Sequence, residues 1–463
     1  MAKGLMQRAT WRSATLVILE SGLIVGTVAG IATAVGSSTG SLGTGSDTML
    51  RSLLIAYACQ LCLYYGDLYD QPGISADYRE LLARVLQALG AAALILAVIY
   101  FWFPQFSFST TVFPAAALVV ALLVTGWRVA FSWFSKRVGP HELLLVVGTS
   151  ITGQSLVGEL SEREELGVKI IGFVDVETTP GGRSPSGVQV LGTIDDIPEI
   201  VRTHGVGRVV VSLADARGKL PMDKLLDVKL EGVTFDHLTS VYEEYTGKIA
   251  IENLRPSWLI FSSGFRASPV TKTIKRAMDV AIALPGLIIS APIIAVLAVA
   301  IKFSSRGPVF YSQDRVGQQG RIFKVHKLRS MRADAESKTG AVWAQKGDSR
   351  ITPLGRILRQ TRLDELPQFW NVLLGNMSLV GPRPERPEFV SMLTQDIRFY
   401  GLRHAIKPGI TGWAQVRYTY GASVEDAMQK LQYDLFYIKN LSIWLDLFIL
   451  VETVKTVVLR KGQ

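Results

Sequence analysis

Four apolar runs dominate the first 137 residues, at about positions 14–34, 53–65, 86–103 and 112–134. A helix rises 1.5 Å per residue, so about 20 residues cross the hydrocarbon core of a bilayer. The second run is short, but it reaches that length if its helix starts near Met49. The pattern therefore predicts a transmembrane domain over residues 1–137, built as an α-helical bundle of four membrane spans.

Lysine and arginine residues gather on one side of this predicted bundle. They occupy the N-terminus, the middle loop and the exit, as Lys3, Arg8, Arg12, Arg79, Arg84, Lys136 and Arg137. The first connecting loop has only Arg51, and the third has no charge. The positive-inside rule then places both ends of the bundle in the cytoplasm. Residues 32–34 also fit a signal-peptidase site, but Glu20 interrupts the run and three more spans follow, so we expect an uncleaved helix.

Short apolar runs alternate with helix-like stretches over residues 141–265, which indicates a parallel α/β sheet. The turn from Gly148 to Gly153 resembles a dinucleotide fingerprint in which Ser150 replaces the middle glycine. That glycine normally lets the backbone approach a pyrophosphate. We therefore expect a Rossmann-like domain with a structural or regulatory role. We interpret Asp175 as a residue that stabilises the turn after a strand.

A fifth apolar stretch lies at about positions 280–301. Both of its flanks are basic, with Lys272, Lys275, Arg276, Lys302 and Arg306. Pro285 and Pro292 interrupt the stretch, and an internal proline removes a helix hydrogen bond and kinks the axis. Symmetric flanks with a break at Ser290 and Pro292 predict a re-entrant helix over about 277–302, which enters the membrane, turns and leaves on the same side. An ordinary kinked span is the alternative.

Composition supports the membrane interpretation and narrows the partners. Of 463 residues, 48% are apolar, and the mean hydropathy is +0.28, which is unusual for a soluble protein of this size. The net charge of +10 favours nucleic acid, lipid headgroups or phosphorylated substrates. Nucleic-acid binding leaves the spans unexplained, so we expect no nucleic-acid partner. Cys59 and Cys62 lie in an apolar run and are interpreted as packing residues.

The region 307–420 carries many basic residues at loop-like positions. Arg315, Lys327 and Arg329 fall near predicted strand edges and turns, where three cations beside a membrane anchor suit phosphate binding. Arg383 lies between two prolines, which fix their own φ and bias the residue before each toward extended geometry. A guanidinium held rigidly in this way suits bidentate phosphate recognition.

An adjacent pair of acids, Asp364 and Glu365, precedes Pro367. Because a helix tolerates proline only in its first turn, we expect a helix to begin within three residues before Pro367, with Asp364 at or near its N-cap. Unpaired amides there would keep the carboxylate ionised and attract a phosphate. Two carboxylates can also hold Mg²⁺. Asp often caps a helix, so an isolated pair of this kind would indicate a simple helix cap rather than a catalytic site.

Taken together, these blocks resemble the catalytic region of the monotopic phosphoglycosyl transferases, the bacterial sugar transferases. The resemblance covers about residues 270–463 and rests on Lys275-Arg276 with Asp279, the Ser290/Pro292 break, Gly307-Pro-Val-Phe310, Gln313-x-Arg315-x-Gly317, Lys327-x-Arg329-Ser-Met331, Leu363-Asp-Glu-Leu-Pro-Gln368, Ser378-Leu-Val-Gly-Pro-Arg-Pro384 and Lys407-Pro-Gly-Ile-Thr-Gly412. It implies an α/β catalytic domain over 270–463, anchored by the re-entrant helix. The preceding domains are similar to those of the larger members, which prime exopolysaccharide, O-antigen or capsule synthesis.

The resemblance also implies a reaction. Asp364 would be the covalent nucleophile that attacks the β-phosphorus of a UDP-sugar and expels UMP, and polyprenol (undecaprenyl) phosphate would then accept the phosphosugar. Mg²⁺, held by Asp364 and Glu365, would neutralise the diphosphate. Arg359 and Arg383 match positions expected near the phosphates and the nucleotide. Arg362 departs from the serine that members often carry at its position.

Location and assembly follow from the same resemblance. It implies the bacterial cytoplasmic (inner) membrane, with the catalytic domain on the cytoplasmic face and membrane lipids as partners. It also makes a homodimer a reasonable expectation.

Two other interpretations stay open at this stage. Membrane-bound nucleotide-sugar dehydratases also resemble four spans plus a Rossmann domain, but they need a Tyr-x-x-x-Lys pair, and neither Tyr242 nor Tyr245 has a lysine four residues later. A non-catalytic membrane scaffold that binds UDP-sugars would carry a decayed transferase region, whereas the Asp-Glu and Pro-Arg-Pro blocks are intact. The identity of the sugar is not readable from these residues.

Overall fold

The chain folds into two compact units, residues 1–246 and 247–463. The computed structural model describes residues 2–39, 45–66, 68–69, 78–106, 112–138, 142–148, 153–154, 157–158, 168–175, 188–211, 221–251, 264–265, 268–332, 335, 348, 350–418, 421 and 423–458. The finer division of the chain at residues 137, 141, 265 and 270 stays a prediction.

Four helices form the start of the first unit: α1 (Ala2–Thr39), α2 (Gly45–Tyr65), α3 (Tyr78–Trp102) and α4 (Val112–Val138). Within the described residues, α1, α3 and α4 contain stretches long and apolar enough to cross a membrane. Helix α2 forms where the second run predicted it but is not among these candidate spans, because polar residues such as Arg51 and Gln60 interrupt its 21 residues. The fourth candidate span lies in the second unit.

A buried ion pair holds this bundle together. Glu20 on α1 and Arg128 on α4 approach within 2.7 Å, and their side chains are 0% and 4% exposed. Arg128 also donates a hydrogen bond to the carbonyl of Leu68, just after α2. Cys59 and Cys62 are buried as free thiols in the same bundle, as expected for packing residues. The Glu20 that interrupts the first apolar run therefore has a partner.

The rest of the first unit contains a five-stranded, fully parallel sheet in the order β3-β2-β1-β4-β5. Its strands are β1 (Glu142–Val147), β2 (Val168–Asp175), β3 (Val190–Thr193), β4 (Arg208–Val211) and β5 (Thr234–His237), with helices at Ile197–His204, Met222–Leu230 and Leu238–Thr246. The parallel sheet predicted from the alternating pattern is confirmed. Gly148 has φ +92°, whereas positions 149–152 of the fingerprint-like turn lie outside the described residues.

The second unit begins with a 36-residue helix, Pro269–Ser304, which we call the long helix. Ser268 caps it by accepting a hydrogen bond from the Thr271 amide, and a proline occupies its first position, where no amide partner is lost. The helix continues through Pro285 and Pro292, so the backbone is helical at the expected break. Whether this helix re-enters the membrane stays a prediction.

Two small sheets and six α-helices follow in the described part of this unit. The strands β6 (Phe310–Val316) and β7 (Ile322–Leu328) form an antiparallel hairpin, and β8 (Ser378–Val380) pairs in parallel with β9 (Gly409–Thr411). The α-helices are Pro353–Gln360, Gln368–Leu374, Pro387–Asp396, Trp413–Arg417, Val424–Lys439 and Ile443–Val458. A single large core of buried apolar side chains joins most of these elements.

The first turns of the long helix are fixed to this core by polar contacts. Lys275 donates to Asp446 at 2.7 Å, and Arg276 donates to the carbonyls of Val372 and Leu373. Asp279, only 2% exposed, accepts hydrogen bonds from the hydroxyl of Ser378 and the next amide. The basic residues on this flank thus hold the apolar helix against the folded unit, in addition to any role at a membrane surface.

Candidate active site

The two acids lie in a tight turn between two helices. Leu363–Glu365 form a 3₁₀ turn whose bonds span three residues, such as Glu365 N–H to the Arg362 carbonyl at 3.1 Å. Arg362, just before the turn, has φ +53°, a left-handed conformation that side chains other than glycine rarely adopt. The α-helix begins only at Gln368, with Pro367 as its N-cap. The prediction that it begins before Pro367 was therefore wrong, and Asp364 occupies a 3₁₀ turn that precedes the helix.

Glu365 is the centre of a cluster of cations. Its Oε1 accepts hydrogen bonds from Lys327 Nζ at 2.8 Å and from Arg383 at 3.0 Å, and Arg362 lies 3.6 Å from Oε2. Burial raises the pKa of this carboxyl, but the three cations, led by Lys327, lower it by more than burial raises it. The net pKa is therefore well below its usual range. Burial also lowers the pKa of Lys327, partly offset by Glu365. Glu365 therefore stays ionised and organises the basic side chains.

Asp364 has a different environment although it is the next residue along the chain. It is 6% exposed, and no hydrogen bond reaches its carboxylate from the residues that the structure describes. Burial raises the pKa of Asp364, and Glu365 raises it further, against the lowering effect of Lys327, Arg359 and Arg383. The result is a poorly solvated carboxylate that faces positive charge without being bonded to it, which suits a nucleophile.

Four hydrogen bonds hold the loop that presents Arg383. The carbonyls of residues 382–385 accept, in order, from the Gly409 amide at 2.9 Å, Arg403 at 3.0 Å, Arg315 at 3.1 Å and the Val316 amide at 2.9 Å. The prolines indicated a rigid loop, and these hydrogen bonds hold the loop in one position against the rest of the unit. Arg403 itself is buried and pairs with Asp434 at 2.8 Å. Burial outweighs the lowering effect of Arg403, and the pKa of Asp434 is raised to about 6.

The predicted site residues divide into two groups. Asp364, Glu365, Lys327, Arg359 and Arg383 come together around the 3₁₀ turn. Other predicted residues lie apart from that cluster. Arg315 supports the Arg383 loop, and Arg329 is 5% exposed and donates to the carbonyls of Ser305 and Arg306 at the end of the long helix. Ser290 and Pro292 lie within that helix. Direct contact of Arg315 or Arg329 with a substrate stays a prediction.

Two side chains that support the Arg383 loop were missed by the sequence analysis. Arg403 and Asp434 carry no motif, because a buried Arg–Asp pair is recognisable only after the fold brings residues 31 positions apart into contact. The sequence offered one signal: Pro382 and Pro384 have no backbone N–H, so the carbonyls of this loop need donors from elsewhere in the fold.

A Mg²⁺ ion fits Asp364 better than Glu365. Among the described residues, no three His, Cys, Asp or Glu side chains gather into a cluster that could hold a metal. Mg²⁺ in phosphate-transfer sites commonly needs only one or two carboxylates, with waters and substrate phosphates as its other ligands. The Asp364 carboxylate has no competing hydrogen bond in the described structure, whereas both oxygens of Glu365 face cations.

Comparison with known proteins gives two family matches and several relatives. Residues 270–460 match a family described as bacterial sugar transferase, and residues 67–220 match a CoA-binding domain. An Aeromonas hydrophila protein named UDP-N-acetylgalactosamine-undecaprenyl-phosphate N-acetylgalactosaminephosphotransferase is 43% identical over 221 residues, which are 48% of this chain and 51% of the relative. The chain thus spans about half the length of that relative.

Two further relatives match over more of their length. Both are named UDP-glucose:undecaprenyl-phosphate glucose-1-phosphate transferase. The Escherichia coli K12 protein is 34% identical, covering 71% of this chain and 70% of the relative. The Klebsiella pneumoniae protein is 33% identical, covering 75% of each. These matches extend beyond the candidate site and into the first unit.

Proposed function

The chain belongs to the bacterial sugar transferase family, and we propose that it transfers a sugar-1-phosphate from a UDP-sugar to undecaprenyl phosphate and releases UMP. One observation carries the proposal: a buried Asp364, to which no described residue donates a hydrogen bond, lies beside a Glu365 that is held by three cations. The relatives named above are transferases of this kind. We place the reaction at the start of bacterial surface polysaccharide synthesis, such as that of an exopolysaccharide.

In the first half-reaction, Lys327, Arg359 and Arg383 bind the diphosphate of the UDP-sugar. A carboxylate oxygen of Asp364 attacks the β-phosphorus, and the bond from that phosphorus to the bridging oxygen breaks. The bridging oxygen leaves with its electron pair on UMP, and the phosphosugar stays on Asp364 as an acyl phosphate. Glu365 keeps Lys327 and Arg383 in position but forms no bond to phosphorus.

In the second half-reaction, an oxygen of undecaprenyl phosphate attacks the phosphorus of the phosphosugar. The bond to the Asp364 oxygen breaks, so the carboxylate is regenerated and undecaprenyl-diphosphate-sugar is released. Asp364, with the diphosphate oxygens, would hold Mg²⁺. When bound, the ion supplies positive charge that neutralises the diphosphate and stabilises the leaving group.

The long helix supports a position at the membrane surface. Its first turns are bonded into the folded unit, whereas apolar residues farther along it, such as Ile289 and Val296, are 69% exposed. We propose that the helix re-enters the bacterial inner membrane and that the site faces the cytoplasm. Single cysteines at positions 272 and 302 should both resist labelling by an impermeant thiol reagent from the periplasm, and labelling of one would show a crossing helix.

The reaction is tested with membranes that contain the protein, radiolabelled UDP-sugar, Mg²⁺ and undecaprenyl phosphate. A chloroform-soluble labelled lipid is expected, and Asp364→Asn should abolish it. Asp396→Asn is the matched control, because Asp396 ends an exposed helix and lies outside the cation cluster. An unchanged lipid yield from Asp364→Asn would refute the nucleophile, and a panel of UDP-sugars scored by UMP release would identify the sugar.

A further inference from the structure

A half-open cavity of about 120 Å³ lies beside the catalytic turn. Arg362 and Glu365 are the charged residues of its lining, and apolar side chains provide most of the remaining wall. The apolar part of the lining includes Phe369, Val416 and Val457. The lining thus combines a cation, Arg362, with an apolar wall, which suits a molecule that carries an anionic group next to an apolar one.

The threonine hydroxyls in this wall already use their protons. Thr453 donates to the Ile449 carbonyl at 2.6 Å, and Thr456 donates to the Glu452 carbonyl at 2.9 Å. Thr411 lies 2.7 Å from Thr453, whose own proton is committed, so Thr411 is the donor of that pair. A nucleobase such as uracil would bring two carbonyls that need donors, and these hydroxyls offer none.

One buried polar atom in the wall lacks a partner in the described structure, the Gln415 Oε1 acceptor. The Gln415 amide nitrogen donates to the Ile410 carbonyl at 3.2 Å. This acceptor suits a water or a single N–H. The threonine hydroxyls therefore offer no free donor to a polar occupant, and a water can satisfy the Gln415 acceptor beside an apolar one.

The apolar wall continues toward the long helix. Phe369 lines the cavity and also packs on Gly286, where an added Cβ would lie 3.1 Å from the ring. Beyond Gly286, Ile288 and Ile289 are 64% and 69% exposed. An apolar chain that leaves the cavity past Phe369 would therefore meet the apolar surface of the helix that we propose to enter the membrane.

We propose that this cavity binds the isoprene unit next to the phosphate of the polyprenol phosphate acceptor, with that phosphate at the Arg362 end. An engineered apolar cavity of about 150 Å³ holds benzene, so a volume of about 120 Å³ suits a branched five-carbon unit. The inference rests on the proposed function. It adds a binding subsite that would place the attacking phosphate beside the phosphosugar on Asp364.

The test fills the cavity and measures the two half-reactions separately. Val457→Phe puts an aromatic ring into the wall, and Val454→Phe makes the same change at an exposed position outside the lining on the same helix. We expect Val457→Phe to raise the KM for undecaprenyl phosphate about tenfold, since losing the burial of two methylene groups corresponds to about that factor. UMP release from UDP-sugar in a single turnover without acceptor should match that of Val454→Phe.

Each other outcome has a defined meaning. If the unmodified protein releases no UMP, the proposed function fails. If it is active but Val457→Phe and Val454→Phe have equal KM values for undecaprenyl phosphate, the subsite is wrong. A selective rise in the KM for UDP-sugar would assign the cavity to the nucleotide and overturn the proposal. Val416→Phe, on another wall, replaces Val457→Phe if that variant does not fold.

Discussion

Neutralising the two adjacent acids should change the stability of the second unit in opposite directions. Glu365→Gln removes the charge that accepts bonds from Lys327 and Arg383. A buried ion pair that loses one partner costs about 3–5 kcal/mol. Lys327 and Arg383 remain 23% and 39% exposed, so water screens part of that cost and we expect about 1–3 kcal/mol.

Asp364→Asn should stabilise the unit by about 1 kcal/mol, because it removes a buried charge that accepts no hydrogen bond from the described residues. The two acids also respond to pH with opposite signs. The pKa of Glu365 is lowered on folding, so its stabilisation is present above the unfolded pKa of about 4.3 and is lost as pH falls through the folded pKa. The pKa of Asp364 is raised, so its ionisation costs stability as pH rises above about 3.9.

Thermal unfolding in detergent at neutral pH measures both effects. For a domain of 150–250 residues, 1 kcal/mol shifts Tm by about 2–4 °C. A cost of about 1–3 kcal/mol should therefore make Glu365→Gln melt roughly 2–12 °C lower, and Asp364→Asn should melt a few degrees higher. Glu388→Gln is the control, because its pair with Arg386 is long and Glu388 is 60% exposed, and we expect less than about 0.5 kcal/mol. Equal melting temperatures for Glu365→Gln and the unmodified protein would refute the account of the cation cluster.

Three further predictions concern the loop, the metal and the packing. Arg403→Lys keeps a positive charge beside Asp434 but cannot donate to both the Arg383 carbonyl and the Tyr400 hydroxyl. The KM for UDP-sugar in steady-state assays should therefore rise about fivefold or more, with a smaller rise for Tyr400→Phe. Equal rises for the two variants would argue against the loop contact. Chelation by EDTA should abolish UMP release and added Mg²⁺ should restore it, whereas activity that survives chelation would exclude a required ion. Gly355→Ala places a Cβ 1.9 Å from the Ser330 carbonyl oxygen. It should lower the free energy of unfolding, measured by denaturant titration, by about 1–3 kcal/mol. Gly401→Ala is the control, because Gly401 has open space around it, and the free energy of unfolding should change little.

The fold was predictable where the information is local. Hydropathy over about 20 residues located three of the four candidate spans in α1, α3 and α4, and the long helix supplied the fourth. Alternation of short apolar runs indicated the parallel sheet. The site was predictable as a list of residue types, since Asp364, Glu365, Lys327 and Arg383 stand in recognisable blocks. The start of the helix near Pro367 was misplaced, because whether a turn closes over three or four residues depends on its tertiary surroundings.

Sequence alone therefore determined that an acidic pair, basic side chains and an apolar helix belong to one catalytic region. Only the tertiary structure decided the environment of each acid. Residues 364 and 365 are neighbours with nearly identical chemistry, but Lys327 and Arg383 reach Glu365 from 38 and 18 positions away, and they leave Asp364 buried without a hydrogen bond from the described residues. Other long-range contacts bond Arg329 to the end of the long helix and Arg403 to the Arg383 loop. The electrostatic environment of each carboxylate depends on its distance from the surrounding cations. The packing of the whole unit sets those distances, because the residues are far apart in the sequence.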